Sequence, residues 1–140
     1  MSGADFMEDD ALLKAFEACE LSSAAWVHKT HVRVAFIYCS CLELTEAIKC
    51  MREGIQALNA VLATSRSGTG YHETITQAFM KLIHAALQHD GCCENSEEFC
   101  TRHPALLDPT ILQRYYSTDR LRSPDAKRIF LEPDLAGLEV

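Results

Sequence analysis

Four stretches of the sequence repeat apolar residues at intervals of three or four, and this spacing constrains the fold most strongly. The interval places apolar side chains on one face of an α-helix. No stretch shows the alternation of apolar and polar residues that is typical of a half-buried strand. The predicted helices span about Glu8 to Cys19, Ala24 to Cys41, Glu46 to Ala63 and Tyr71 to His89. The chain is therefore predicted to be all-α.

Capping signals define the remaining elements. Ser22 or Ser23 is expected to cap the second helix, and Thr45 the third. Two later segments begin with Asp108-Pro109 and Ser123-Pro124, a pairing that is typical of helix starts. The prediction is a single domain over residues 1–140, a four-helix bundle with a C-terminal wrap of two short helices. Residues 1–7 and 132–140 are expected to be irregular.

The charge balance narrows the classes of partner. The 140 residues carry a formal net charge of −7, so neither nucleic acid nor an anionic membrane surface is an expected partner. The longest nearly apolar stretch, residues 32–44, is interrupted by Arg33 and is too short to cross a bilayer. The N-terminal sequence MSGADFMEDD is acidic and lacks signal-peptide features. The expected location is cytoplasmic.

Seven cysteines are present, an odd number, and no two of them form C-x-x-C. Without a secretory signal we expect reduced thiols, with Cys19, Cys39 and Cys50 packed as small apolar residues. Cys92, Cys93 and Cys100 share a segment with His103, where a structural zinc ion is conceivable. Adjacent cysteines are not a usual spacing for zinc ligands, so a zinc site is not the main prediction there.

Histidines suggest a site. His28 and His31 lie three positions apart, so they occupy one face of the second predicted helix. His72 and Glu73 begin the fourth. Bundles hold metals with imidazole and carboxylate groups on facing helices, so His28, His31, His72 and Glu73 form a candidate set for zinc, iron or manganese. A polar pocket without metal and purely structural roles remain open. Glu73 could simply follow a Gly70 cap and reach back to a free amide.

Arg52 and Asn59 lie two turns apart beside the apolar stripe of the third helix. An inward-facing Arg is costly unless it is paired, and its partner could be Glu73 or a small anionic molecule. The alternative is a solvated guanidinium with its stem on the bundle. These residues therefore favour a pocket without identifying its ligand.

The chain also resembles a family of small, uncharacterised helical proteins found mainly in bacteria. The resemblance rests on W-V-H-K-T-H (26–31) with V-R-V-A after it, M-R-E-G-I-Q-A-L-N (51–59), G-Y-H-E-T-I-T (70–76), Y-Y-S (115–117), S-P-D-A-K (123–127) and E-P-D-L (132–135). The chain departs from the family pattern at Leu58 and Lys127. No established reaction comes with the resemblance. The positions that fall on these motifs are Trp26, His28, His31, Arg52, Asn59, Tyr71, His72, Glu73 and Thr74.

Two hypotheses follow. In the first, the protein is a metal-dependent or small-molecule enzyme whose acid and base groups are His31, His72 and Glu73. Its ligand-binding residues would be Trp26, Arg52, Asn59, Tyr71 and Thr74. In the second, the same residues only tie helices together in a structural or protein-interaction module. The sequence does not decide whether the protein is an enzyme, and it does not define an oligomeric state.

Overall fold

The computed structural model describes residues 7–62, 71–91 and 93–138, and this part of the chain is all-α. The main helices are α1 (Asp9–Glu17), α2 (His28–Cys41), α3 (Leu44–Leu62), α4 (Glu73–Asp90) and α5 (Ser96–Arg102). They are followed by two 3₁₀ helices (Pro104–Leu107 and Pro109–Arg114), then α6 (Thr118–Arg122) and α7 (Pro124–Arg128). Residues 104–138 form the C-terminal wrap. None of the described helices is long and apolar enough to span a bilayer.

Helix α2 is the centre of the bundle. It packs against α1, α3, α4 and α5, and every residue from 32 to 39 is buried. A helix that is covered on all sides needs no amphipathic pattern, which explains why its apolar residues surround it. The apolar stripe of α3 was predicted correctly, since Ile48, Met51, Ile55 and Leu58 are all buried.

Helices α1 and α3 approach each other closely at Gly54. A Cβ built on Gly54 would lie 2.2 Å from Cε2 of Phe16, a side chain with no exposed surface. The missing side chain at this position therefore lets α3 approach α1. Phe16 also stacks on Trp26, with ring centroids 5.3 Å apart.

Arg33, which interrupts an apolar run in the sequence, is buried and forms hydrogen bonds to two other segments. Its Nε donates to Ser96 Oγ (2.7 Å), and its Nη2 donates to the carbonyl of Met7 (2.5 Å). Asp9 accepts a hydrogen bond from the Ser96 amide (2.8 Å). These contacts join the start of α1, the middle of α2 and the start of α5.

Several boundaries differ from the predictions. Helix α2 begins at His28 because Val27 is extended, and Ser22 Oγ accepts from the Ala25 amide in the preceding turn and does not cap α2. Thr45 lies inside α3. The segment after α4 contains more helix than was predicted, because α5, the first 3₁₀ helix and α6 were all missed. Residues 64–70, predicted as a loop, lie outside the described residues.

The proline-led segments were predicted correctly. Asp108 accepts from the Thr110 amide and Ser123 accepts from the Ala126 amide, so each caps the element that follows it. The first of these elements is a 3₁₀ helix. Residues 132–138 are irregular, as expected.

Candidate functional site

His72 is the N-cap of α4. Its Nδ1 accepts a hydrogen bond from the Ile75 amide (3.1 Å), and its Nε2 lies 2.9 Å from the carbonyl of Leu121. A backbone amide can only donate and a carbonyl can only accept, so the ring is neutral with its proton on Nε2. Both ring nitrogens are therefore occupied. Helix α4 begins after His72, whereas the sequence predicted a start after Gly70. Gly70 itself lies outside the described residues.

Glu73 is the first residue of α4 and is the centre of a polar cluster. Its Oε1 accepts from Arg52 Nε (2.9 Å) and Tyr71 Oη (2.7 Å), and its Oε2 accepts from Arg52 Nη2 (2.7 Å) and from Gln77. Burial alone would raise the pKa of Glu73, but these hydrogen bonds outweigh it and lower the pKa to about 2. The carboxylate faces Arg52, so the prediction that it reaches back to a free amide is wrong.

The same cluster accounts for the raised pKa values of Tyr71 and Arg52. Burial and the hydrogen bond to Glu73 raise the pKa of Tyr71 to about 12. Glu73 raises the pKa of Arg52 above its ordinary value. Of the two partners considered for Arg52, the structure places Glu73 against it. The arrangement is a two-bond ion pair between α3 and α4.

A cavity of about 380 Å³ lies between α2, α3, α4 and the C-terminal wrap. Most of its lining is apolar, and the polar side chains are imidazoles, amides and hydroxyls. The lining residues are His28, His31, Val32, Ala35, Met51, Ile55, Asn59, Tyr71, His72, Ile75, Thr76, Phe79, Met80, Ile83, Pro109, Thr110, Leu112, Gln113 and Leu121. The three histidines of the predicted site therefore reach one cavity.

His28 holds the wrap against the bundle. Its Nε2 lies 2.9 Å from the carbonyl of Leu106, 78 positions further along the chain, and its ring meets Phe79 edge-on at 4.8 Å. Burial lowers the pKa of His28. Together with the bond from His72 to Leu121, this bond fixes one wall of the cavity at two points.

His31 has a different environment. Its ring stacks on Trp26 with 3.8 Å between centroids, and it makes no side-chain hydrogen bond to any residue that the structure describes. Burial, and then the neighbouring His28, lower the pKa of His31 to about 3. The ring is therefore neutral at physiological pH, with one donor nitrogen and one acceptor nitrogen.

Three residues predicted to bind ligand do not line this cavity. Trp26 lies in the core between Phe16 and His31. Thr74 is fully buried, and its Oγ1 donates to the carbonyl of Ile129 (2.8 Å) and accepts from the amide of Leu131 (3.1 Å).

Arg52, the third, is paired with Glu73. Asn59 and Tyr71 do reach the cavity.

The predicted metal set is not assembled. Across residues 7–62, 71–91 and 93–138, no three His, Cys, Asp or Glu side chains are placed to hold a metal ion. Both nitrogens of His72 are occupied, and Glu73 faces Arg52 and does not line the cavity. The zinc alternative gains no support either. Cys100 is buried, its pKa raised to about 11 by burial, and Cys92 lies outside the described residues.

Comparisons of the chain with protein-family models, with curated proteins and with solved structures found no match. The family resemblance described from the sequence motifs therefore stays a prediction. Sequence reasoning also missed the wall that the C-terminal wrap supplies. The cap at Asp108-Pro109 was a signal for a short helix there, but not for its place beside His28 and His72.

Proposed function

We propose that the protein binds a small, uncharged and mainly apolar molecule in the cavity beside His31. The supporting observation is the imidazole of His31, which lines a mainly apolar cavity and has no hydrogen-bond partner among the described residues. A volume of about 380 Å³ falls in the range of roughly 300 to 1,000 Å³ that is common for small-molecule pockets. An apolar body would fill the space, and one polar group would meet His31.

Charge supports an uncharged ligand. No Asp, Glu, Lys or Arg is among the described residues that line the cavity. An anion placed there would lose its hydration without gaining a cation, which is a large penalty. The small anionic partner that the sequence suggested therefore does not suit this cavity.

Acid–base properties favour binding over catalysis. An efficient general base has a pKa near the working pH. The pKa of His31 is about 3 and that of Glu73 is about 2, so both are weak bases. His72 already uses both ring nitrogens. The three groups suggested as acid and base are thus better suited to fixed hydrogen bonding than to proton transfer.

The alternative, a structural or protein-interaction module, has support from a different set of contacts. Arg52, Glu73, Tyr71 and Gln77 are bonded to one another, and this cluster ties α3 to α4. That reading accounts for the cluster but not for the cavity. We therefore treat the cluster as structural support for the binding site.

The experiment compares indole with indene, its carbon analogue, by calorimetry and thermal shift. His31→Phe retains a ring against Trp26 but removes both nitrogens, and His89→Phe, at an exposed position on α4, is the matched control. Wild type and the control should bind indole more tightly than indene. In the His31→Phe variant the preference for indole over indene should fall about fivefold, which corresponds to the loss of roughly one hydrogen bond.

Ala35→Leu provides the second arm, because Ala35 is buried and lines the cavity. The larger side chain should abolish binding of both probes in a variant whose circular dichroism remains helical. Unchanged binding in Ala35→Leu would place the probes elsewhere. Absence of binding in the wild type at millimolar probe would overturn the proposal for ligands of this class.

A further inference from the structure

An open groove of about 700 Å³ adjoins the cavity at Tyr71. Tyr71 lines both spaces, but the other groove residues do not line the cavity. They are Arg52, Gln56, Glu73, Lys127, Arg128, Ile129 and Phe130. On α3 the division is regular, since Met51, Ile55 and Asn59 face the cavity while positions 52 and 56 face the groove.

The groove is locally basic in an acidic protein. Three of its residues are cations, whereas the chain as a whole has a net charge of −7. Arg52 is balanced by Glu73, and Arg128 pairs with Asp125. Lys127 is exposed and has no ion pair with any residue in the described ranges. An excess of positive charge therefore remains, and it favours an anion.

Arg52 is held in place before any ligand arrives. Its bonds to both oxygens of Glu73 fix the plane of the guanidinium, yet 34% of its side chain is exposed. A fixed and partly exposed guanidinium loses little conformational entropy when it binds an anion. Gln56 adds an amide beside it.

One side of the groove is apolar and also fixed. Ile129 is 52% exposed, and Phe130 packs beneath Lys81, whose Nζ lies 4.0 Å from the ring centroid. The two hydrogen bonds of Thr74 to Ile129 and Leu131 hold the backbone of this segment. An exposed apolar surface beside cations suits a ligand with both properties.

We infer that this groove binds a small organic anion with an apolar body. Its carboxylate, phosphate or sulfonate would lie between Arg52 and Lys127, and its body would cover Ile129 and Phe130. The inference does not depend on the cavity, because the two ligand classes differ in charge and the two sites share only Tyr71.

The test uses 2-naphthoate and its neutral analogue 2-naphthamide, followed by chemical shift changes in ¹⁵N spectra of the full chain. Naphthoate should shift the amides of Ile129 and Phe130 and the side chain of Gln56. Naphthamide should bind at least threefold more weakly there, since it lacks the charge. Higher salt should weaken naphthoate alone.

Lys127→Ala should weaken naphthoate binding about threefold and Lys127→Glu further, as expected for exposed charges. Lys49→Ala removes an exposed cation on α3 outside the groove and should have no effect. Equal binding of the two probes, or equal effects of Lys127→Ala and Lys49→Ala, would overturn the inference.

The location of the shifts separates this inference from the proposed function. Shifts at Ala35 and Ile83 would report the cavity, and shifts at Ile129 would report the groove. If indole binds the cavity while naphthoate fails at the groove, only the groove inference is wrong. If naphthoate binds the groove and indole binds nowhere, only the cavity proposal is wrong.

Discussion

Replacing Glu73 by Gln isolates the charge of the polar cluster with little change of shape. The wild-type carboxylate accepts from Arg52, Tyr71 and Gln77, and 9% of its side chain is exposed. Glutamine keeps the length of the side chain but removes the charge that these donors stabilise. We therefore expect a loss of stability that depends on pH.

The pKa shift of Glu73 sets the size of the expected loss in unfolding free energy. A decrease from 4.5 to about 2 corresponds to roughly 3 kcal/mol, at about 1.4 kcal/mol per unit. Since 34% of the Arg52 side chain is exposed, solvent screening reduces our expectation to about 2 kcal/mol. The folded-state pKa is the lower one, so this contribution is complete above about 4.5 and is lost as pH falls towards about 2.

Urea unfolding at pH 7, 5 and 3 measures the difference in unfolding free energy between wild type and Glu73→Gln. Glu73→Gln should be less stable by about 2 kcal/mol at pH 7, or roughly 7 °C in Tm, and the gap should narrow below pH 4.5. His31, whose folded pKa is about 3, also removes stability as pH falls below 6.5. This contribution of His31 is the same in wild type and in Glu73→Gln, so it cancels when their unfolding free energies are subtracted.

Glu53→Gln is the matched control, because Glu53 is exposed on the same helix as Arg52. This variant should remain within about 0.5 kcal/mol of wild type. A gap for Glu73→Gln that stays constant from pH 7 to pH 3, or one that equals the control, would refute the reasoning.

Three other substitutions test the packing. Gly54→Ala should lower the unfolding free energy by about 1 to 3 kcal/mol, because its Cβ would meet Phe16; an unchanged urea midpoint would contradict this. Thr74→Val should cost about 1 to 3 kcal/mol and speed hydrogen exchange at Leu131, whose amide loses its acceptor; unchanged exchange would mean that the segment is held by other contacts. Arg33→Met should cost about 3 kcal/mol, because buried polar partners are left behind; a loss below about 1 kcal/mol in thermal unfolding would contradict it.

Helices α1 to α4 were predictable because the spacing of apolar residues along a helix is a local property of the sequence. Helix ends depend on individual hydrogen bonds and were harder to predict. His72 is an example, because imidazole is not among the usual capping side chains and nothing in the local pattern favours it over Gly70. The start of α2 was missed because Val27 is extended, although a helical pattern continues through it.

Helix α5 had a readable signal that was assigned to something else. Asn95 caps it by accepting from the Glu98 amide, and Glu97 and Glu98 lie in the first turn. This is an ordinary helix start.

The site was only partly predictable because its parts are far apart in the chain. Shared helix faces brought His28 and His31 together, and the proximity of Arg52 to Glu73 was one of two alternatives considered. The contact of His28 with Leu106 joins residues 78 positions apart. Local patterns carry no information about such a contact, so neither the wall nor the full set of partners of His72 could be inferred.

The wall that His28 and His72 fix has a consequence for how the protein is made. During synthesis α2, α3 and α4 leave the ribosome before residues 106–121, so the helical part of the cavity can form while one side is still open to water. The cavity gains its remaining wall only when this later segment docks. Until then a ligand would contact only the three helices, and the contacts with Pro109, Thr110, Leu112, Gln113 and Leu121 are added as folding ends.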